Sequence, residues 1–251
     1  MTTTHELTYD VDGRTMTAHL AQPDGKGPWP AVLIAHDGVG LDGYQRQRAD
    51  DLAAHGYLAL AMDYNGGEVF FDRPDAMLAR VMPLLNDAER MRSIGQDALD
   101  RLLALPEADP DRVAAIGYGA GGSIVLELAR TGAPFRAIAV VHPAFPETAS
   151  GELTQITGTV LLCTGSDDPL CTPGQALTFG QALQEAGVDW RANIYGGAKH
   201  AFWAIPRNPD GSPAEGTEHT MATVPGVGHH REHTPRAWRA ILDLLSEAFD
   251  A

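Results

Sequence analysis

Cysteine is nearly absent from this chain, long apolar runs are missing and basic residues are outnumbered, and each shortage removes a class of function. Cys163 and Cys171 are the only cysteines. Two thiols close together late in the chain make no disulfide framework and read as the reduced cysteines of a cytosolic enzyme. The longest apolar runs, such as residues 30–35 and 138–141, fall far short of the roughly 20 residues that span a bilayer. Residues 1–10 are polar and hold no apolar h-region, so no signal peptide is expected and the default location is cytoplasmic. Lys and Arg total 18 against 33 Asp and Glu, a formal charge of −15. Such a chain is poorly suited to nucleic acid or to an anionic membrane surface. Repeats and low-complexity tracts are also lacking.

What is present fits one large α/β domain over residues 1–251, with 44% hydrophobic residues to build its core. Residues 6–11 and 15–21 alternate residue by residue around Asp12-Gly13, which predicts an antiparallel hairpin at a sheet edge. Beyond it, short runs rich in Val, Ile, Leu and Ala alternate with helical patterns, the βαβ signature of a mostly parallel sheet. Buried strands are predicted at 31–35, 57–62, 113–118, 137–141, 160–163 and 190–195. Helices are predicted at 44–55, ended by Gly56, at 120–130, at 173–186, and after Thr234-Pro235 near the C-terminus. A long helical stretch over 75–105 should break near Pro83. Residues 206–228 have no periodicity and are too long for an ordinary connection, so they are expected to form a lid or functional loop.

Three segments fall at the C-terminal ends of predicted strands, the edge where ligands bind in open α/β sheets. Gly117-Tyr118-Gly119-Ala120-Gly121-Gly122 lies between a strand and a helix and has the outer glycines of a G-x-nucleophile-x-G elbow. The residue at its centre is Gly119, which carries no nucleophile. Gly165-Ser166-Asp167-Asp168-Pro169 follows a later strand and offers Asp168, with Asp167 as runner-up, as the acid of a triad. Tyr195-Gly196-Gly197-Ala198-Lys199-His200 follows the last strand and offers His200 as its base. The order nucleophile, acid, histidine is that of the α/β-hydrolases. The glycines also satisfy G-x-G-x-x-G, but a dinucleotide loop would follow the first strand, and its next strand would end in an acid. Here that strand ends Val141-His142-Pro143.

Over nearly its whole length the chain resembles the dienelactone hydrolase family. Ala35-His36-Asp37-Gly38-Val39-Gly40 is similar to the family's oxyanion-side loop, which places an acidic residue near the nucleophile. Residues 117–122 resemble its elbow, which usually reads Gly-Tyr-Cys-x-Gly-Gly; Asp168, Tyr195 to Phe202 and the C-terminal helix around Trp238 resemble its remaining signatures. The resemblance implies a three-layer α/β-hydrolase fold, a mostly parallel twisted sheet with helices on both faces. Two departures stand out. Gly119 replaces the family's cysteine, and Phe202-Trp203-Ala204 stands where the type enzymes carry an arginine for a substrate carboxylate, the next one here being Arg207. The chlorocatechol-pathway substrate is therefore not expected.

These residues predict a hydrolase-like enzyme without a Cys or Ser nucleophile, acting non-covalently on a small carbonyl or lactone substrate. His200 would be the acid–base, Asp168 its orienting partner, and Asp37 a carboxylate that shares or relays a proton. The N–H groups of Ala120 and Gly38 would form the oxyanion hole, and His36, Tyr118, Phe202 and Trp203 would line the substrate site. Hydrolysis, cyclisation, elimination and isomerisation all suit that machinery. Ser123, Cys171 and Tyr118 carry nucleophilic atoms nearby, yet none is placed as a triad nucleophile would be. His229, His230 and His233 are expected to edge the cleft in a loop, and no metal or other cofactor is expected. No motif marks an interface, although a homodimer is compatible with the sequence. The alternative is a catalytically silent homologue, natural or a nucleophile knock-out, that binds a small ligand.

Overall fold

The structure is a computed structural model that describes residues 2–11, 13–71, 73–145, 153–205, 212 and 225–250. Its strands are β1 (Thr3–Val11), β2 (Arg14–Gln22), β3 (Trp29–Ala35), β4 (Leu58–Met62), β5 (Ala108–Tyr118), β6 (Phe135–Val141), β7 (Thr159–Gly165) and β8 (Trp190–Tyr195). They form one sheet in the order β1-β2-β4-β3-β5-β6-β7-β8. The expected hairpin is there, β1 lying antiparallel to β2 at the sheet edge, and β2 pairs antiparallel with β4. From β4 onward every pairing is parallel. The helices are α1 (Gly43–Ala54), α2 (Pro74–Leu85), α3 (Ala88–Leu103), α4 (Ala120–Ala129), α5 (Pro173–Glu185) and α6 (His233–Phe249).

Alternate side chains of a strand leave opposite faces of the sheet, and a parallel sheet needs both faces covered. Leu33 of β3, Leu58 and Leu60 of β4 and Val113 of β5 pack on one face with Ile94 and Leu99 of α3 and Ile124 and Leu128 of α4. Val32 and Ile34, Ala59 and Ala61, and Ala114 and Ile116 turn the other way, onto Leu52 of α1 and Ile241, Leu244 and Leu245 of α6. Two apolar cores thus clamp the sheet into three layers. Full burial of each Leu or Ile stabilises the fold by about 1.5–3 kcal/mol.

The helical stretch after β4 breaks later than its proline suggests. Pro83 sits in the last turn of α2 and the helix runs on to Leu85. Near a C-terminus the ring removes a single N–H bond, which a short remainder tolerates. The interruption falls at Asn86 and Asp87, where the Asp87 carboxylate accepts the Arg90 N–H at 2.9 Å and starts α3 afresh.

β3 lies between β4 and β5, so the chain winds to one side through α1 and returns to the other through α2 and α3. That reversal opens a crevice at the C-terminal ends of β3 and β5. Most of the expected lid, residues 206–211 and 213–224, lies outside the described residues. Among the described residues no helix is long and apolar enough to cross a membrane.

Candidate active site

β5 ends at Tyr118 and α4 starts at Ala120, so Gly119 alone turns the corner, with φ +51° and ψ −120°. L side chains rarely adopt that conformation, and glycine removes most of its cost. The Gly119 N–H donates to the Val141 carbonyl at 3.0 Å, and its own carbonyl accepts the Gly122 N–H at 2.9 Å. A Cβ on Gly121 would run into the carbonyl oxygens of Ala35 and His36, so the flanking glycine is set by packing. At Gly119 a Cβ would meet Asp37 Cβ at 3.3 Å and His142 Cε1 at 3.4 Å, a tight but not blocked position. Ala120 opens α4, where a helix's first N–H groups have no acceptor within the helix. Gly38 lies under α2, close enough that a Cβ there would approach Val81 Cγ2 to 2.9 Å.

The ends of β7 and β8 bring Asp168 and His200 together. His200 Nδ1 stands 2.9 Å from Asp168 Oδ2 and 3.1 Å from Oδ1. The Asp168 carboxylate is buried and also accepts the N–H groups of Leu170 and Cys171, each at 2.8 Å, which fixes its orientation. Asp167, the runner-up, is exposed and bonds the Ser166 hydroxyl at 2.7 Å instead. The backbone of His200 is clamped as well: its N–H donates to Gly226 and its carbonyl accepts from Gly228, both at 2.9 Å. With Nδ1–H given to a carboxylate, Nε2 keeps its lone pair. The imidazole is about one-fifth exposed, which leaves that nitrogen an approach from the crevice.

Asp37 follows β3 and lies beside the corner. Its Oδ1 accepts the Val39 N–H at 3.0 Å. Burial, reinforced by the charge of Asp42, pushes its carboxyl up to about 8, against smaller opposing contributions from backbone N–H groups. A carboxyl raised so far keeps its proton through the acid range.

A third histidine completes the group. His142 directly follows β6, has a positive φ of 43° and is 1% exposed. Its ring centroid is 4.3 Å from that of His200, and the indole N–H of Trp203 donates to its Nε2. Burial and then the proximity of His200 hold its pKa well below the usual histidine value. The strand-end rule that selects Asp168 and His200 applies equally to His142, whose visible signal is its place immediately after a buried strand.

The residues expected to line the substrate site instead build its walls. His36, Tyr118, Phe202 and Trp203 are each at most 2% exposed. His36 stacks on Tyr64 at 3.7 Å and engages the Asp37 carbonyl and the Tyr64 N–H. Tyr118 and Trp203 pack on each other and on Tyr44. Phe202 packs on Tyr195, and its carbonyl accepts the His230 N–H at 2.7 Å. His233 begins α6, rather than lying in a loop, and its Nε2 is 3.1 Å from the Gly196 carbonyl. His229 Nδ1 lies 3.4 Å from the Thr234 hydroxyl. The other nucleophilic atoms are engaged or suppressed: the Ser123 hydroxyl donates to the Ala144 carbonyl at 2.7 Å, and burial pushes the Cys171 thiol up to about 12.

A sheet of this order, a glycine-flanked strand–turn–helix corner, and an acid and a histidine on later strand ends define an α/β-hydrolase fold. Within that superfamily the chain belongs to the dienelactone hydrolase family, whose model matches residues 16–249. It is 31% identical to m3DLH, with a TM-score of 0.86 and 99% of each chain covered. It is 32% identical to a dienelactone-hydrolase-like promiscuous phosphotriesterase from metagenomic libraries, with a TM-score of 0.86 and 98% of each chain covered. It is also similar to a probable 2-oxo-3-(5-oxofuran-2-ylidene)propanoate lactonase of Bradyrhizobium sp, 28% identical over 76% of this chain and 81% of that protein.

Proposed function

We propose that this chain is a hydrolase of small lactones or related carbonyl esters in which His200, oriented by Asp168, activates water directly and no acyl-enzyme forms. The observation that carries this reading is the His200–Asp168 hydrogen bond, 2.9 Å long, on the same sheet edge as a corner residue that has no side chain. An acyl-enzyme needs a nucleophilic side chain at that corner. General base catalysis by His200 does not. The lactonase relative and the family membership support the substrate class.

In this mechanism Nε2 of His200 takes a proton from water as the water oxygen bonds to the carbonyl carbon. The charge gathering on the carbonyl oxygen is met by the N–H groups of Ala120 and Gly38. The bond from that carbon to the leaving oxygen then breaks, and the proton held on His200 passes to the leaving oxygen. Each hole donor can supply about 3–4 kcal/mol in favourable cases, and a well-placed general base contributes roughly 10²–10⁴ in rate. Uncharged Asp37 beside the corner can share a proton with the same oxygens. A substrate with an acidic carbon would meet the same base and hole, leading to an enolate and hence to elimination, isomerisation or cyclisation.

Two measurements test the reading. His200→Ala should lower kcat by about 10² or more on any lactone or ester the wild type turns over. Intact-mass spectrometry of wild type quenched during turnover of p-nitrophenyl acetate should find unmodified protein. Wild-type rates in His200→Ala, or an acyl adduct on the wild-type chain, would overturn it.

A further inference from the structure

His142 is the buried titratable group for which water activation by His200 alone has no use. Trp203 can only donate through its indole nitrogen, so the bond to His142 Nε2 makes that nitrogen the acceptor and puts the ring's proton on Nδ1. Nδ1 is buried and has no hydrogen-bond partner among the described residues. A buried donor left without an acceptor is destabilising, and such a group in a native structure calls for a reason. The ring's surroundings supply one. The Cε1 edge between its two nitrogens lies 3.4 Å from the point where a Gly119 side chain would begin. The His200 ring is 4.3 Å away, centre to centre, inclined at 62°. The ring thus borders both the corner and the His200 imidazole.

We infer that His142 is a second catalytic histidine, whose Nδ1–H holds the oxygen that His200 deprotonates above Gly119. The inference rests on the water-activation reading and names the group that positions the nucleophile in it. In a triad enzyme a covalent tether seats the attacking oxygen or sulfur; here a hydrogen bond does so, leaving the oxygen's proton directed at His200. Positioning of this kind is where a non-covalent mechanism stands to gain most, because an untethered water is otherwise free to rotate and diffuse. The strained backbone of His142, at φ +43°, and the bond from its N–H to the Cys163 carbonyl at 2.8 Å hold the ring in place. Because its protonation is suppressed, the ring stays a donor at Nδ1 and an acceptor at Nε2 while His200 cycles through its charged form.

Asparagine and glutamine separate this role from a structural one. His142→Asn keeps an N–H near the Nδ1 position and loses the reach to Trp203. His142→Gln keeps an acceptor for Trp203 and loses the Nδ1–H donor. The inference predicts that His142→Asn retains kcat within about tenfold, while His142→Gln loses about 10²-fold with KM changed only a few-fold. The opposite ranking, equal losses in both, or no loss in either would overturn it. A measurement without any variant guards against misfolding: long-range ¹H–¹⁵N NMR of the wild type at pH 7 should find the His142 proton on Nδ1. A proton on Nε2 would overturn the inference. Wild-type activity in His200→Ala would defeat the underlying reading instead, so the two failures are distinguishable.

Discussion

His200 Nδ1 and Asp168 Oδ2 stand 2.9 Å apart across the C-terminal edge of the sheet, joining loops that follow neighbouring strands. The same carboxylate anchors the backbone N–H groups of Leu170 and Cys171. Asp168→Asn and Asp168→Ala should therefore behave differently. The amide keeps an oxygen for the loop but loses the charge that steadies a protonated His200, so kcat should fall about 10³-fold with little change in stability. The alanine should lose similar activity and a further 1–3 kcal/mol or so of stability, because the buried Cys171 N–H and the partly buried Leu170 N–H lose their acceptor. Steady-state kinetics and urea melts of both variants check this.

Asp37 has the reverse electrostatics. Its carboxyl is raised from the ordinary value near 3.8 to about 8 in the folded chain. The folded state therefore holds a proton that the unfolded chain has released between those values. The benefit is complete below about 4, shrinks as pH rises, and is gone above about 8. Asp37→Asn cannot ionise. Its stability relative to wild type should increase between pH 4 and pH 8, by about 5 kcal/mol at the upper limit. Chemical denaturation at a series of pH values measures the difference, and a flat difference contradicts the assignment.

Suppressed protonation of His142 predicts the opposite slope. A histidine that is neutral when folded and titrates near 6.5 when unfolded contributes stability fully present above 6.5 and lost as pH falls below it. In that range it should add a slope of about 1.4 kcal/mol per pH unit. His142→Gln should remove this component from the acid limb of the stability profile.

Neighbouring glycines of the corner should tolerate substitution very differently. Gly119→Ala places a methyl 3.3 Å from Asp37 Cβ and 3.4 Å from His142 Cε1 in a strained conformation. It should fold at a cost of about 1–3 kcal/mol. Gly121→Ala drives its methyl into two backbone carbonyls that cannot rotate away, and it should cost more than Gly119→Ala or fail to fold. Thermal melts of the two rank them.

Much of this architecture is legible in the residues because the parallel strands are buried on both faces, so that runs such as Val32-Leu33-Ile34 need no periodicity to be recognised. Asp168 and His200 are legible because strand ends, chain order and adjacent turn residues agree. The wall residues are not, because adjacency in sequence is not adjacency in space. Tyr118 shares the parity of Ala114 and Ile116, which turns it into the core beneath α1 and α6 rather than toward the crevice. His142 was hidden for a different reason. A lone histidine after a strand reads as a core residue, and only the distances to Gly119, His200 and Trp203 give it a chemical setting. The pH behaviour of Asp37 likewise depends on burial, which no motif encodes.

The most direct test of the central claim compares wild type, Gly119→Cys and His200→Ala on one panel of lactones, enol esters and p-nitrophenyl esters. Non-covalent catalysis by His200 predicts a substrate that wild type turns over, that His200→Ala leaves nearly untouched, and on which wild type forms no adduct. Activity confined to Gly119→Cys, with wild type and His200→Ala both inert across the panel, would contradict the account and identify the chain as a silent hydrolase whose site binds without reacting.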